Sequence, residues 1–169
     1  TGKQLSAISD SFDLRTIAFS PDSGKLAVGR YSDIMVYTYP GHNLLHRLSG
    51  HSEVVLALMF SEDNKNLYSI DESRSLKIWD VETGRYLGGL KGGKDRIASA
   101  AFSLDIKYFA YSPYLSKKIH VVRAQNMGLI RTITLPDFAS EALTFYPKGP
   151  LVGGVDYKDV RFWSIKNGK

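Results

Sequence analysis

The chain has 169 residues, 43% hydrophobic and 12% aromatic, which suits one folded domain and excludes the composition of a disordered segment. It has no cysteine, so disulfides and thiolate metal sites are excluded. Its longest uninterrupted apolar run, Val54–Phe60, is too short for a membrane-spanning helix or a signal-peptide core. Twenty-two basic against 17 acidic residues leave a net charge of +5, an excess that suits an acidic protein surface or RNA and that solubility alone also explains.

In chain order, short apolar segments separated by turn residues predict sixteen strands in four groups. The first group is Gln4–Ile8, Arg15–Ser20, Lys25–Gly29 and Ile34–Tyr37, and the second is Leu44–Leu48, Val54–Phe60, Asn66–Ile70 and Leu76–Trp79. The third is Tyr86–Leu90, Ala98–Ser103, Lys107–Tyr111 and Ile119–Val122, and the fourth is Leu129–Leu135, Glu141–Phe145, Leu151–Val155 and Val160–Trp163. Turn residues such as Pro21-Asp22, Asp63-Asn64, Asp105 and Pro147-Lys148-Gly149 separate the second and third strands of each group. The second strand of a group is nearly continuous in apolar residues, as a strand covered on both faces must be.

The groups are repeats. Phe19, Phe60, Phe102 and Phe145 are spaced 41, 42 and 43 residues apart; Tyr37, Trp79, Val122 and Trp163 are spaced 42, 43 and 41; and Leu5, Leu45, Leu87 and Ile130 are spaced 40, 42 and 43. An antiparallel sandwich or barrel also spaces its strands regularly, but it has no need of three markers in phase. The repeats run over residues 1–42, 43–84, 85–127 and 128–169.

The second repeat carries a Gly-His pair (Gly50-His51), an apolar run ending in Phe-Ser (Phe60-Ser61) and a Trp-Asp pair (Trp79-Asp80) within about 40 residues. In that order and spacing it resembles a WD repeat. The resemblance implies an all-β fold, a β-propeller of four-stranded antiparallel blades built from four WD repeats, part or half of a larger seven- or eight-bladed ring. It also implies a buried hydrogen-bond network among the His after Gly, a Ser or Thr on the blade's second strand, an Asp in the following turn, and the Trp. His51, Ser69 and Trp79 fill three of these slots. The Asp slot falls on Ser73, with Asp71 and Glu72 just before it, so the network is expected to be incomplete unless the turn brings Asp71 into reach. The other repeats fray: Tyr37-Thr38, Val122-Arg123 and Trp163-Ser164 stand where Trp-Asp would, and Gly93-Lys94 where the third Gly-His would. His51, Ser69, Trp79 and Trp163 are therefore read as structural.

Four repeats fall short of the usual ring. The chain starts at Thr1 without Met and in mid-pattern, with its first outer strand, Gln4–Ile8, lacking a blade in front, while the last blade lacks its outer strand. Exposed strand edges are an aggregation hazard, and three arrangements remove them: a segment of a longer propeller, two copies closing head-to-tail into an eight-bladed homodimer, or four blades closing alone.

Little in the chain points to chemistry. Gly88-Gly89-Leu90-Lys91-Gly92-Gly93-Lys94-Asp95 matches the first seven positions of a phosphate-binding loop, but Asp95 replaces the Ser or Thr that would hold magnesium, and the stretch lies between two strands. His42 and His46 are four apart without a helix to align them, and His120 alternates with Ile119 and Val121 along a strand. No nucleophile–base order can be placed. Catalytic, cofactor and metal residues are accordingly expected to be absent, and the protein is expected not to be an enzyme.

In propellers of this type the loops between the first and second strands and between the third and fourth strands of a group share the usual docking face. Here those loops hold Arg30, Tyr31, Glu53, Arg96, Tyr114, Phe138, Tyr157 and Lys158, a mixture of aromatic and charged residues that matches interface hot spots. The same mixture suits stacking on single-stranded RNA. The expected function is a non-catalytic protein–protein interaction scaffold, a rigid platform in an intracellular (cytoplasmic or nuclear) assembly whose partners are other proteins and not a membrane. The alternative is an RNA-contacting component of a ribonucleoprotein complex.

Overall fold

The computed structural model describes Ala7 and residues 13–135, 142–146, 151–155 and 159–165. The strand expected over Gln4–Ile8 lies, apart from Ala7, outside the described residues.

The first blade is the sheet β1 (Leu14–Phe19), β2 (Lys25–Arg30), β3 (Asp33–Thr38) and β4 (Leu44–Ser49). The second is β5 (Val55–Phe60), β6 (Asn66–Asp71), β7 (Leu76–Asp80) and β8 (Tyr86–Leu90). The third is β9 (Ile97–Phe102), β10 (Tyr108–Pro113), β11 (Lys118–Arg123) and β12 (Leu129–Thr134), and the fourth shows β13 (Ala142–Phe145), β14 (Leu151–Val155) and β15 (Val160–Ser164). Every pairing is antiparallel between sequence neighbours. The first strands of the four blades line one central space of about 630 Å³. The described residues form four blades of an all-β propeller.

The core lies between blades, which explains why strands here are apolar on both faces. Ile34, Val36 and Leu48 of the first blade pack against Leu58, Leu67 and Trp79 of the second. Ala57, Ile70 and Leu76 of the second pack against Phe102, Phe109 and Tyr111 of the third. Ile119, Val121 and Ile133 of the third pack against Phe145, Val152 and Ile165 beyond it. Each fully buried Leu, Ile or Phe contributes about 1.5–3 kcal/mol relative to exposure. The outer blades keep one open face each: Ile17 and Phe19 on β1 and Val160 and Phe162 on β15 are all about half exposed or more.

The turns repeat as closely as the strands. In each of the first three blades one residue per turn takes the left-handed conformation: Ser23, Tyr31 and His42, then Asn64, Arg74 and Gly84, then Ile106, Leu115 and Met127. The β1–β2, β5–β6 and β9–β10 turns share a hydrogen-bond pattern. Ser20, Ser61 and Ser103 each donate through Oγ to the carboxylate two residues on, Asp22, Asp63 and Asp105, at 2.6, 2.6 and 2.7 Å. The same hydroxyls accept the amides of Lys25, Asn66 and Tyr108.

Candidate functional site

His51 is held in the β4–β5 loop by two hydrogen bonds to β6. Alternation along β6 puts Ser69 and Asp71 on one face, two residues apart, and the imidazole spans them. His51 Nε2 lies 2.7 Å from Ser69 Oγ and Nδ1 lies 2.9 Å from Asp71 Oδ2. Trp79 Nε1 donates to the same Ser69 Oγ at 2.8 Å. Ser69 Oγ, having accepted from Trp79, has its own proton to give to Nε2, and Nδ1–H donates to Asp71; this tautomer follows from the available donors. The other carboxylate oxygen, Asp71 Oδ1, accepts from the Ser73 amide, the Ser73 hydroxyl and the Ser75 amide at 3.0, 2.6 and 3.0 Å.

This corrects the expectation of an incomplete network with Ser73 in the Asp slot. Asp71, the last residue of β6, fills the slot without any shift of the turn, because it is in phase with Ser69 whereas Ser73 is already in the turn. Ser73 instead ties Asp71 to the turn. Burial pushes the Asp71 carboxyl upward, but hydrogen bonds from His51, Ser73 and the Ser75 amide carry it below its ordinary value. The Trp163 side chain sits two blades away, packed against the third core cluster.

Above this network lies the loop face. Its turns are bonded across blades, where Val55 N–H donates to Tyr31 C=O at 2.7 Å and Ile97 N–H to Glu72 C=O at 2.9 Å; within the third blade Leu135 N–H donates to Lys117 C=O at 2.7 Å. Within blades, Glu72 N–H donates to Val54 C=O and Tyr114 N–H to Arg96 C=O, both at 2.9 Å. On this fixed backbone Tyr31 and Tyr114 are 59% and 64% exposed, while Arg30 and Glu53 are half-buried. Arg96 is exposed and ion-paired with Glu72. The structure thus brings Arg30, Tyr31, Glu53, Arg96 and Tyr114 to one face of the disc. Phe138, Tyr157 and Lys158 lie outside the described residues.

The glycine-rich stretch after Tyr86 is explained by close packing. A side chain on Gly89 would stand 2.0 Å from the Leu76 carbonyl oxygen, and one on Gly92 would stand 2.2 Å from that of Ser73. Gly89 belongs to β8, so no helix N-terminus follows to receive a phosphate in the manner of a nucleotide-binding loop. His42 occupies a left-handed turn position, and His46 Nε2 lies 3.0 Å from the Glu82 carbonyl oxygen of the next blade. Among the described residues, no group of three or more His, Asp or Glu is placed to hold a metal ion. Sequence reasoning also missed Arg74, which reaches from the second blade to the Tyr111 hydroxyl of the third at 3.0 Å.

Four antiparallel blades with a buried Trp–Ser–His–Asp chain define a β-propeller of the WD type. Residues 42–80 match the family description "WD domain, G-beta repeat". The chain is 28% identical over 160 residues to the Pre-mRNA-processing factor 17 of Saccharomyces cerevisiae, an alignment covering 87% of this chain and 34% of that protein. It is 24% identical over 150 residues to the U3 small nucleolar RNA-associated protein 15 homolog of Xenopus laevis, covering 86% of this chain and 28% of the relative. The chain therefore spans about a third of the length of these relatives. Among solved structures, U3-55K and the RRP9 WD40 repeats each superpose with a TM-score of 0.77 at 20% identity, covering 96% of this chain and 52% and 51% of theirs. The chain thus carries a WD repeat at residues 42–80 within a propeller fold like that of these proteins.

Proposed function

We propose that the chain is a rigid, non-catalytic platform for protein–protein assembly within an intracellular complex, cytoplasmic or nuclear. The observation that carries this reading is the loop face. Tyr31 and Tyr114 stand exposed on turns whose main chain is already bonded to neighbouring strands. A partner docking there pays little ordering entropy, and exposed Tyr beside Arg is the composition of interface hot spots. Arg30, Tyr31, Glu53, Arg96 and Tyr114 are assigned to the partner surface, together with Phe138, Tyr157 and Lys158. Site-specific photo-crosslinkers at Tyr31 and Tyr114, compared with one at Leu104 in the opposite turn layer, test the assignment in cells. Discrete crosslinked partners from the first two positions support it; crosslinks from Leu104 alone contradict it.

A second reading, contact with RNA, is favoured by the distribution of charge. The loops Glu72–Ser75, Lys91–Arg96 and Tyr114–Lys118 hold six cations (Arg74, Lys91, Lys94, Arg96, Lys117, Lys118) against two carboxylates (Glu72, Asp95). The turns on the opposite side of the first three blades hold three cations (Lys65, Arg85, Lys107) against five carboxylates (Asp22, Glu62, Asp63, Glu82, Asp105). The similarity to a pre-mRNA-processing factor and to a small nucleolar RNA-associated protein supports this reading.

The open faces of the first and last blades suit further blades, supplied by the same polypeptide or by a second copy joined head-to-tail. Light scattering over a range of concentrations tests the second copy. A mass of about twice 18.8 kDa, lost on Ile17→Lys or Phe162→Lys, supports it; a monomer at every concentration contradicts it.

A further inference from the structure

Among the described residues, positive charge gathers at the upper notch between the second and third blades. On its second-blade side, Arg74 occupies a left-handed turn position. The guanidinium of Arg74 lies over the Tyr111 ring, 5.2 Å from its centroid, with Nη1 donating to the Tyr111 hydroxyl. Its Nε is buried and has no hydrogen-bond partner. Gly93 passes so close that a side chain there would meet Nη2 at 2.1 Å, so this loop leaves room for the guanidinium only by lacking one. On the third-blade side, Tyr111 pairs with His120 across β10 and β11, and His120 Nδ1 lies 3.0 Å from Thr132 Oγ1. Lys118 is on the same face of β11, two residues from His120, and is exposed.

Neither Arg74 nor Lys118 has a carboxylate partner among the described residues. The field they create is felt within the notch: burial, then Lys118 and Arg74, hold the His120 imidazolium below its usual range. Two cations without a carboxylate partner thus stand beside an imidazole and a threonine hydroxyl, and the buried Arg74 Nε carries the cost of an unmet donor. The corresponding loops over the first and second blades, Arg30–Ser32 and Gly50–Val54, carry one cation, Arg30, and one carboxylate, Glu53, and form no such cluster. The turn that ends at Lys118 begins with Tyr114 and Leu115, the latter in the left-handed conformation, and exposes both side chains.

We propose that this notch binds single-stranded RNA, with Arg74 and Lys118 holding a phosphate and the exposed Tyr114 ring stacking on an adjacent base. The inference rests on the RNA reading above. RNA fits better than an acidic peptide because the site joins a phosphate-sized cationic recess to a bare aromatic ring, and a nucleotide presents both a phosphate and a flat base to be stacked.

The test is fluorescence anisotropy of a labelled twelve-residue oligouridylate at 50, 100 and 200 mM salt, with Lys118→Ala, Tyr114→Ala and, on the opposite face, Lys65→Ala. All three side chains are exposed, so each variant is expected to melt with the parent protein, which circular dichroism checks. Binding should weaken steeply with salt, and Lys118→Ala should lower the logarithmic salt slope by about 0.7, the increment for one phosphate on a single strand. Tyr114→Ala should weaken binding about tenfold at every salt concentration, within the range for one lost base stack. Lys65→Ala should change nothing. RNA binding that is insensitive to Lys118→Ala and Tyr114→Ala overturns the notch while leaving the RNA reading standing. No binding at 50 mM salt overturns both. Binding of a polyglutamate peptide that matches RNA in affinity and in its loss on Lys118→Ala assigns the notch to acidic protein and overturns the proposal.

Discussion

The Asp71 carboxylate meets His51 Nδ1 at 2.9 Å, with both side chains wholly buried. His51 enters from the loop before β5 and Asp71 from the end of β6, so their bond joins the upper loop to the blade interior. Asp71→Ala leaves the His51 N–H and the amides of Ser73 and Ser75 without their acceptor, and should cost about 2–3 kcal/mol in urea unfolding. The folded carboxyl titrates below its unfolded value of 3.8, so its stabilisation is complete above that value and is lost as pH falls through the folded one. Asp71→Asn should therefore flatten the acid limb of a stability–pH curve.

The Ser–Asp turns add to this acid sensitivity. Hydrogen bonds from Ser20 and Gly24 hold Asp22 below its ordinary value, and bonds from Ser61 and Lys65 do the same for Asp63. At Asp105 burial opposes the shift, but the Ser103 hydroxyl and Lys107 outweigh it. Ser103→Ala removes the donor to Asp105 and the acceptor of the Tyr108 amide. It should cost about 1 kcal/mol at neutral pH and a smaller amount at acid pH, once Asp105 is protonated in both proteins. Denaturant titrations at the two pH values measure the difference.

Ile106 carries a φ of 55° where the equivalent residue of the preceding blade is Asn64, at 61°. A β-branched side chain is strained there, while asparagine tolerates the conformation. Ile106→Asn should raise stability by about 1 kcal/mol, read as an upward shift in melting temperature.

Gly89 tests whether the glycine-rich stretch serves packing or phosphate binding. Gly89→Ala forces a methyl group against the Leu76 carbonyl and should destabilise by about 1–3 kcal/mol. Lys94→Ala, at the position of a nucleotide-loop lysine, should leave stability unchanged and alter no affinity for ATP, as calorimetry would record.

The blades were legible because their markers are packing residues. Phe60, Phe102, Phe145, Trp79 and Val122 recur in register wherever one blade must fill the space beside the next. The left-handed turn positions were not legible, since Ser23, Tyr31, Arg74, Leu115 and Met127 share no residue type; the tight strand connections impose the conformation on whatever side chain is present. Asp71 was misplaced by two residues because spacing alone does not say where β6 stops and its turn begins. The Arg74 notch was hidden for a different reason: Arg74 and Gly93 come from two separate loops and Lys118 from the start of β11, and only the stacking of the second blade on the third brings them together.

The central claim is a rigid loop face, and hydrogen–deuterium exchange of the loop amides measures it most directly. The amides of Val55, Glu72, Ile97, Tyr114 and Leu135 bond across or within blades, and should exchange as slowly as those of strands β6 and β10. Exchange at the rate of an unstructured peptide at these five amides would contradict the account, because a face that must be ordered on binding is not a preorganised platform.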